Sequence, residues 1–448
     1  MKRIIGLALT LLLPGACAAQ QSAPAATGEV LTLERAVQLA LDNNRGLRIA
    51  QLETRKAGDQ IAQTRTRRLP QASLDVLASQ LLTKVDFEFE AGAFGTYPAT
   101  GPIPATNTKI SSPRRPNLYV VGGVAQPLSQ LYKIKLGIEQ GEISRQMREE
   151  EERQQRHALV QRVRSLYYAA LEAEATLAAS REAIAFYREM DRLTSTLVAE
   201  QAALKSENLD VRARLAQEEY TVLTQEHRVT QIKEQLNVEM GREVSADFQF
   251  APVGEATALE SDLRAAHAQA LERRPELRAA RLKVRGAEQD RKIKRAEYIP
   301  DVSLAFNYLS PFSIDVLPKN VASVGLQLSW EPWDWGRRKR ELDEKGRSIE
   351  QAELSARESE SRVLLEVSQS QRKLRESRAL ISVARAAQES AQEKVRVARN
   401  RFAEQAVLLK DVLQAQNENA QAAKSYQQAI LAYWNARAEF EKAIGEGQ

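Results

Sequence analysis

Apolar residues recur along this chain at two different periods, and the switch between them sets out its elements. Leu33, Ala36, Val37, Ala40 and Leu41 fall on one face of a short helix, with Thr32 placed to cap it. Beyond Pro300 the period drops to two. Val302, Leu304, Phe306 and Tyr308 alternate with Ser303, Ala305 and Asn307, and Val324, Leu326, Leu328 and Trp330 alternate with Ser323, Gly325, Gln327 and Ser329. Such strands have one apolar face and one small, polar face. Pro70 and Pro300 each end a helix and push the preceding residue toward extended backbone. From Tyr132 to Glu200, and again from Gly336 to Glu404, there is no proline. At ~1.5 Å per residue, each stretch makes a helix of roughly 100 Å. Helices this long with few large apolar residues cannot enclose a globular core, so they must pack side by side along narrow stripes of Ala, Val and Leu.

This order is written twice. Ala40–Val76 lies over Ala270–Phe306 at a shift of about 230, matching Leu47 with Leu277, Ala50 with Ala280, Leu52 with Leu282 and Pro70 with Pro300. Further on, Gly122–Lys135 lies over Gln327–Arg340, and "AEQA" at Ala199 returns at Ala403, both at about 205. The shift falls because the first half carries an insert, "EFEAGAFGTYPATGPIPATNTKISSPRRP", whose Gly, Pro, Thr and Ser predict an exposed loop. The expected halves are 20–245 and 246–448. The first should hold strands near 71–88 and 117–127 and a helical hairpin over about 132–240; the second, strands near 301–310 and 321–331 and a hairpin over about 336–444.

Composition supports long helices. The chain is 27% charged and 6% aromatic, and Ala, Glu, Arg, Gln and Leu dominate. Its net charge of +5 comes from interleaved signs, which suits solvated helix faces and argues against a nucleic-acid partner. At the N-terminus, Lys2 and Arg3, an apolar run from Ile4 to Leu13, and small residues after it predict a signal peptide over 1–19. Ala16-Cys17-Ala18 fits a cleavage site; the rival expectation makes Cys17 the acylated first residue of a lipoprotein, although Pro14 stands where such signals carry Leu. No later stretch approaches the ~20 apolar residues of a transmembrane helix. Any membrane span must therefore be made of strands.

Two strands per half give four per chain, too few to close a barrel or hide their edges. In lipid only a closed barrel satisfies every backbone group, and three symmetric copies would supply twelve strands. Trp330, Trp333, Trp335, Tyr298 and Tyr308 lie at the strand ends, where an interfacial aromatic girdle belongs. The alternative is a soluble sheet packed on helices. Little suggests catalysis: His157, His227 and His267 sit on helical stretches among charges, and Glu149–Glu152 and Arg337–Arg340 suit solvated helix faces. No phosphate loop, Cys/His cluster or nucleophile elbow occurs, so no cofactor, metal or enzymatic activity is expected.

"LTLERAVQLALDNN" (Leu31–Asn44), "ALERRPELRAARL" (Ala270–Leu282), the helix–Pro–strand junctions, "WEPWDWGRRKRELDEKGRSIEQAE" and "RFAEQAVLLKDVLQAQNENAQA" (Arg401–Ala422), in this duplicated order, resemble the TolC-like outer-membrane efflux proteins. The resemblance covers nearly all of the mature chain. It implies a mainly α fold with a membrane β-barrel: a homotrimer sharing a twelve-stranded barrel in outer-membrane lipid, with a long helical tunnel in the periplasm. It further implies a passive exit duct in a tripartite efflux or secretion system, served by an inner-membrane pump and a periplasmic adaptor. A soluble periplasmic coiled-coil adaptor or scaffold is the alternative, although such proteins lack this duplicated plan. In the resembled family the second helical turn sits at the periplasmic tip, where acidic residues ring a constriction. Asp411 falls on that acidic position, with Lys410 as a pairing partner and Glu404 nearby. Gln414 stands where a second acid is common, and Gln405 replaces the usual glycine. Glu207 and Asp210 are weaker counterparts in the first half.

Overall fold

The computed structural model describes residues 30–446 apart from 81, 113–115, 255–261, 312–317, 319 and 405. The expected signal peptide, Cys17 and Gln405 lie outside the described residues. The first half runs β1 (Val30–Leu31), α1 (Leu33–Asn43), α2 (Arg45–Thr66), β2 (Gln71–Gln80), β3 (Val85–Phe89), β4 (Thr96–Tyr97), β5 (Gly101–Pro102), β6 (Thr108–Ser112), β7 (Pro116–Pro127), α3 (Gln130–Ala199) and α4 (Lys205–Glu239). The second runs β8 (Gln249–Phe250), α5 (Leu263–Arg273), α6 (Pro275–Ala296), β9 (Asp301–Pro311), β10 (Val321–Ser329), α7 (Arg337–Ala403) and α8 (Leu409–Ala443).

One antiparallel sheet joins the halves, in the order β10-β9-β7-β2. Residues directly opposite one another share a face, so the register sorts the side chains. Val324, Phe306 and Val124 are opposed in one row, Leu326 and Leu304 in another, and Val76 and Val120 in a third, all even-numbered. Ser323, Asn307, Gly123 and Ser73 make a row on the other, odd-numbered face. The apolar side is open, with Leu326 at 71% and Val324 at 72% exposure. Among the described residues, β2 and β10 each pair on one side only.

Each strand continues a helix. α2 leads into β2, β7 into α3, α6 into β9 and β10 into α7. The helices keep the lateral order of the strands, since α2 packs on α3, α3 on α6 and α6 on α7. Four staves result, each part strand and part helix. Ser129 pins the junction of β7 and α3 to β9: its hydroxyl donates to the Pro300 carbonyl at 2.7 Å and accepts from Val302 N at 2.8 Å. Lys133 Nζ adds an ion pair to Asp301 Oδ1 at 2.7 Å. Farther from the sheet, α3 folds back as α4 and α7 as α8.

Each returning helix ends on a kink between two shorter helices. Gly241 and Gly445, with φ of 67° and 82°, close α4 and α8 in a left-handed turn. A Cβ on Gly241 would stand 2.6 Å from the Asn43 carbonyl oxygen, and one on Gly445 2.8 Å from Arg273 Cβ, so both positions need glycine for space as well as for φ. Asn44 Nδ2 donates to the Glu239 carbonyl at 2.9 Å, and the guanidinium of Arg274 donates to the Lys442 carbonyl at 3.1 Å. Beside the first kink, β1 and β8 pair in parallel, Leu31 against Phe250. The buried Tyr167 hydroxyl lies 2.9 Å from the Leu31 carbonyl and 2.8 Å from that of Ala251, sharing its one hydrogen between them. Leu31, Leu236, Met240 and Phe248 complete this core.

The insert differs from its expected form. The first strand stops at Gln80, short of the expected 88, and residues 85–89 pair instead with 108–112. Lys109 sits between Asp86 (3.1 Å) and Glu88 (2.8 Å) on one face of this outer hairpin. Alternating residues on both sides of the break hide it from a period-two reading. The fourth strand ends at Ser329, before the expected 331, because Ser329 faces Asp301, the first residue of its partner β9, which begins just after Pro300.

Burial pushes the Tyr167 phenol up to about 12. A folded-state value raised from 10.0 leaves its stabilisation intact below pH 10; it is lost as pH rises from there toward about 12, because the unfolded phenol ionises first. Tyr167→Phe should cost about 1–3 kcal/mol by removing the donor to the Ala251 carbonyl, whereas the Leu31 carbonyl still accepts from Ala251 N at 3.0 Å. Melts followed by circular dichroism at about pH 8 and about pH 11 should show a smaller alkaline loss for the variant than for the parent.

Candidate functional site

The far ends of the two helical hairpins form the candidate site. α4 and α8 begin alike: Leu204 and Leu408 stand at the N-cap, and the third helical residue reaches back. Glu207 Oε2 accepts from Leu204 N at 3.3 Å, and Asp411 Oδ2 from Leu408 N at 3.1 Å. Leucine has no side-chain acceptor, so each is half of a capping box. Asp411 therefore has a local task, ordering the start of α8 and favouring its positive end. Among the described residues of a single chain it forms no ion pair with Lys410; Lys410 and Glu404 are exposed and lie off the groove that Asp411 lines.

That groove, about 550 Å³, lies along α7 and α8 and includes Lys394, Arg401, Asp411, Gln414 and Glu418. Gln414 Nε2 donates to Glu418 Oε1 at 3.0 Å, and Lys394 Nζ meets Glu418 Oε2 at 3.2 Å. The Gln414 hydrogen bond, then Lys394, holds the Glu418 carboxyl below its usual value. A second acid is thus present one helical turn beyond the expected position. The i,i+4 spacing from Gln414 was its only signal in the sequence.

A larger groove of about 950 Å³ separates the two hairpin tips, lined by Phe186, Met190, Leu193, Phe402, Val407 and Leu409 among others. Arg399 lies over the Phe186 ring at 4.7 Å. Leu409, Val412 and Leu413 are buried between the hairpins, whereas Leu408 and Leu204 project outward, 57% and 68% exposed. Glu207 lines this groove; Asp210 is exposed and outside it. The first tip carries a polar knot that the sequence did not announce. Buried Asn208 donates to Asp191 Oδ1 and Thr194 Oγ1, both at 2.9 Å, and Arg212 binds the same Asp191 at 2.9 Å.

At the other end of the staves, Trp330, Trp333 and Trp335 are exposed where β10 meets α7. Tyr298 lies at the end of α6 beneath the Arg338 guanidinium, 5.6 Å away. Tyr308 is at the outer end of β9, its hydroxyl donating to Asn320 Oδ1 at 2.8 Å. The three histidines occupy separate helices: His157 on α3 is held below its usual value by burial, His227 is on α4, and His267 on α5 lies 2.9 Å from Ser368 Oγ. Glu149 pairs with Arg145, Glu152 accepts from Thr54, and Arg337 pairs with Glu331 and Glu341. Among the described residues no His, Cys, Asp and Glu cluster could hold a metal ion, and no helix is long and apolar enough to cross a membrane.

The family described as outer membrane efflux protein matches residues 36–242 and 266–446, one segment for each half. The chain belongs to the outer membrane efflux protein family. It is an outer-membrane efflux channel protein with a periplasmic extension, and this membership excludes the soluble-adaptor alternative. The fold agrees with solved outer-membrane channels. The CmeC channel of Campylobacter jejuni superposes with a TM-score of 0.77 at 16% identity, covering 93% of this chain and 86% of that one. The outer-membrane channel OprN gives 0.75 at 18%, covering 92% and 89%. The open state of the MtrE channel of Neisseria gonorrhoeae gives 0.71 at 15%, covering 93% and 89%. Comparison with curated proteins finds no match.

The two tasks of Asp411, capping and charge, separate by substitution. Asp411→Asn keeps an acceptor for Leu408 N and should leave the start of α8 intact, whereas Asp411→Ala should cost about 1 kcal/mol of helix stability. Both should weaken block by multivalent cations equally in single-channel recordings. Unchanged block in both would leave Asp411 a cap alone.

Proposed function

We propose that this efflux protein is a passive duct of three copies, receiving cargo from an inner-membrane pump through an adaptor docked at the helical tips. The observation that carries this reading is the pair of unpaired edges. β2 and β10 run in opposite directions, so β10 of one copy can pair with β2 of the next, and repeated addition closes a ring. Two copies would make eight strands, whose interior side chains fill; three make twelve and leave a wet lumen. The even-numbered apolar face then meets lipid and the odd-numbered face meets water.

The open helical flanks complement each other as the edges do. Residues 45–68, along and just beyond α2, hold seven basic side chains against two acidic ones. Residues 341–360 of α7 hold seven acidic against three basic. Ile49 on α2 and Leu354 on α7 are exposed, 61% and 57%, giving both flanks an apolar contact to bury. When the strands join, these flanks meet, and the staves below the membrane become a tunnel of roughly 100 Å. In the ring, Asp411, Gln414 and Glu418 would surround the narrow end, with Lys410 and Glu404 on the outer surface of the tip. Trp330, Trp333, Trp335 and Tyr298 would mark the periplasmic membrane boundary and Tyr308 the outer one. The tip groove beside Phe186 and Leu409 suits an apolar adaptor segment.

The intact complex, extracted in detergent, should have three times the protomer mass by native mass spectrometry; a stable monomer in plain buffer would overturn the closed barrel. Leu326→Arg, on the lipid face at mid-strand, should cost ~2–4 kcal/mol and lower the amount inserted. Ser329→Arg, on the lumen face, should be tolerated, and equal damage from both would show the faces reversed.

A further inference from the structure

The lumen face of the sheet changes character along its length. Its rows nearest the helices are small or polar, such as Gln71, Ala125, Ala305 and Gly325, followed by Ser73, Gly123, Asn307 and Ser323. The next two rows are not. Val121, Leu309 and Val321 stand in line with Asp75, and beyond them Tyr119 is opposed to Leu77 on one side and Pro311 on the other. Val121, Leu309, Val321 and Leu77 keep 41, 38, 41 and 60% of their surface exposed. Apolar side chains facing water contribute nothing to a wet wall, and the polar rows beneath show what such a wall otherwise uses.

Charge on this face is as restricted as apolarity. On the odd-numbered positions of the four strands the only carboxylates are Asp75 and Asp301, and there is no Lys, Arg or His. Asp301, at the helical end, is tied to Lys133. Asp75 is exposed and has no ion-pair or hydrogen-bond partner among the described residues. The single free carboxylate of the wall thus stands in line with its apolar belt.

We infer that this belt is a binding station for amphiphilic cations near the outer mouth, an inference that rests on the closed-barrel reading above. An apolar body lies on Val121, Leu309 and Leu77 while its positive centre faces Asp75. Each part selects. A small hydrophilic cation gains nothing from the Val and Leu surface, a neutral apolar molecule gains nothing from the carboxylate, and an anion is repelled by it. Three copies repeat the station around the wall, so a ligand leaving one meets another. Weak, multiple sites of this kind hold a solute without stopping its passage.

Tetraphenylphosphonium and tetramethylammonium are probes of equal charge and unequal apolar surface. Each is added on the outer side of the full-length protein in planar bilayers. Equilibrium dialysis on the purified protein in an amphipathic polymer measures binding independently. Tetraphenylphosphonium should bind and block more strongly. Asp75→Asn and Leu309→Ser should each weaken it roughly 3- to 10-fold, whereas only Asp75→Asn should affect tetramethylammonium. Ser73→Ala, one row down, should change neither. Native mass spectrometry confirms assembly of each variant, and Val121→Thr replaces any variant that fails to assemble. Equal affinity for the two probes, or tetraphenylphosphonium binding indifferent to both belt changes, overturns the inference while leaving the duct intact. A parent that assembles but carries no current sinks the duct reading instead, and the dialysis result then decides the belt by itself.

Discussion

A backbone amide or carbonyl without a partner in hydrocarbon costs several kcal/mol, and the two sheet edges of this chain present whole rows of them. β2 and β10 span ten and nine residues, and the faces beside them carry leucine and valine suited to lipid. The chain cannot satisfy these edges alone, because four strands cannot curl into a closed wall. From this shortage most of the architecture follows. Since each strand runs straight into a helix, pairing the edges also brings the helices into a ring. In the proposed ring, barrel and tunnel are one assembly of continuous staves.

The same requirement explains why the helices look unfinished in one chain. Their buried residues form thin clusters where the staves kink and where the hairpins meet, around Tyr167, Phe440 and Val412. Elsewhere the faces hold ion pairs such as Arg65 with Glu142 and Lys373 with Glu439, exposed contacts of small individual worth. Rigidity therefore depends on a few joints. Gly241 and Gly445 allow α4 and α8 to end directly against Asn43 and Arg273, and Ser129 and Lys133 hold the helical end of the sheet.

Duplication supplied two copies of each joint, and they have since diverged chemically. Asn44 caps α2 through Leu47 N while holding Glu239; its counterpart Arg274 instead holds the Lys442 carbonyl and the Glu366 carboxylate. At the tips, Asn208 anchors a polar knot in the first hairpin, whereas the matching position in the second is the buried Val412. The first tip is held by directional hydrogen bonds and the second by apolar contact together with the Gln414–Glu418–Lys394 ladder. Two hairpins of similar length are thus closed by different forces.

Local physics made much of this legible in the sequence. Period-two alternation marked the strands and their faces, proline positions marked the junctions, and the absence of proline over 132–200 and 336–404 required long helices. Each of these signals depends only on near neighbours in the chain. The contacts that place residues from distant segments together had no such signal: the Tyr167 hydroxyl on Leu31 and Ala251, the parallel β1–β8 pair, and the junction of β7 with β9 that fuses the halves into one sheet. The site divides along the same line. Asp411 was singled out by the resemblance of its turn to the family's, whereas its bond to Leu408 N and the link of Gln414 to Glu418 depend on side-chain orientation within the folded helix. The row of Asp75, Val121, Leu309 and Val321 draws on four strands, and only register aligns them. Periodicity by itself determined that there would be strands with one apolar face and long helices; only the tertiary structure decided which side chains stand opposite one another, because register is a relation between segments and no single segment contains it.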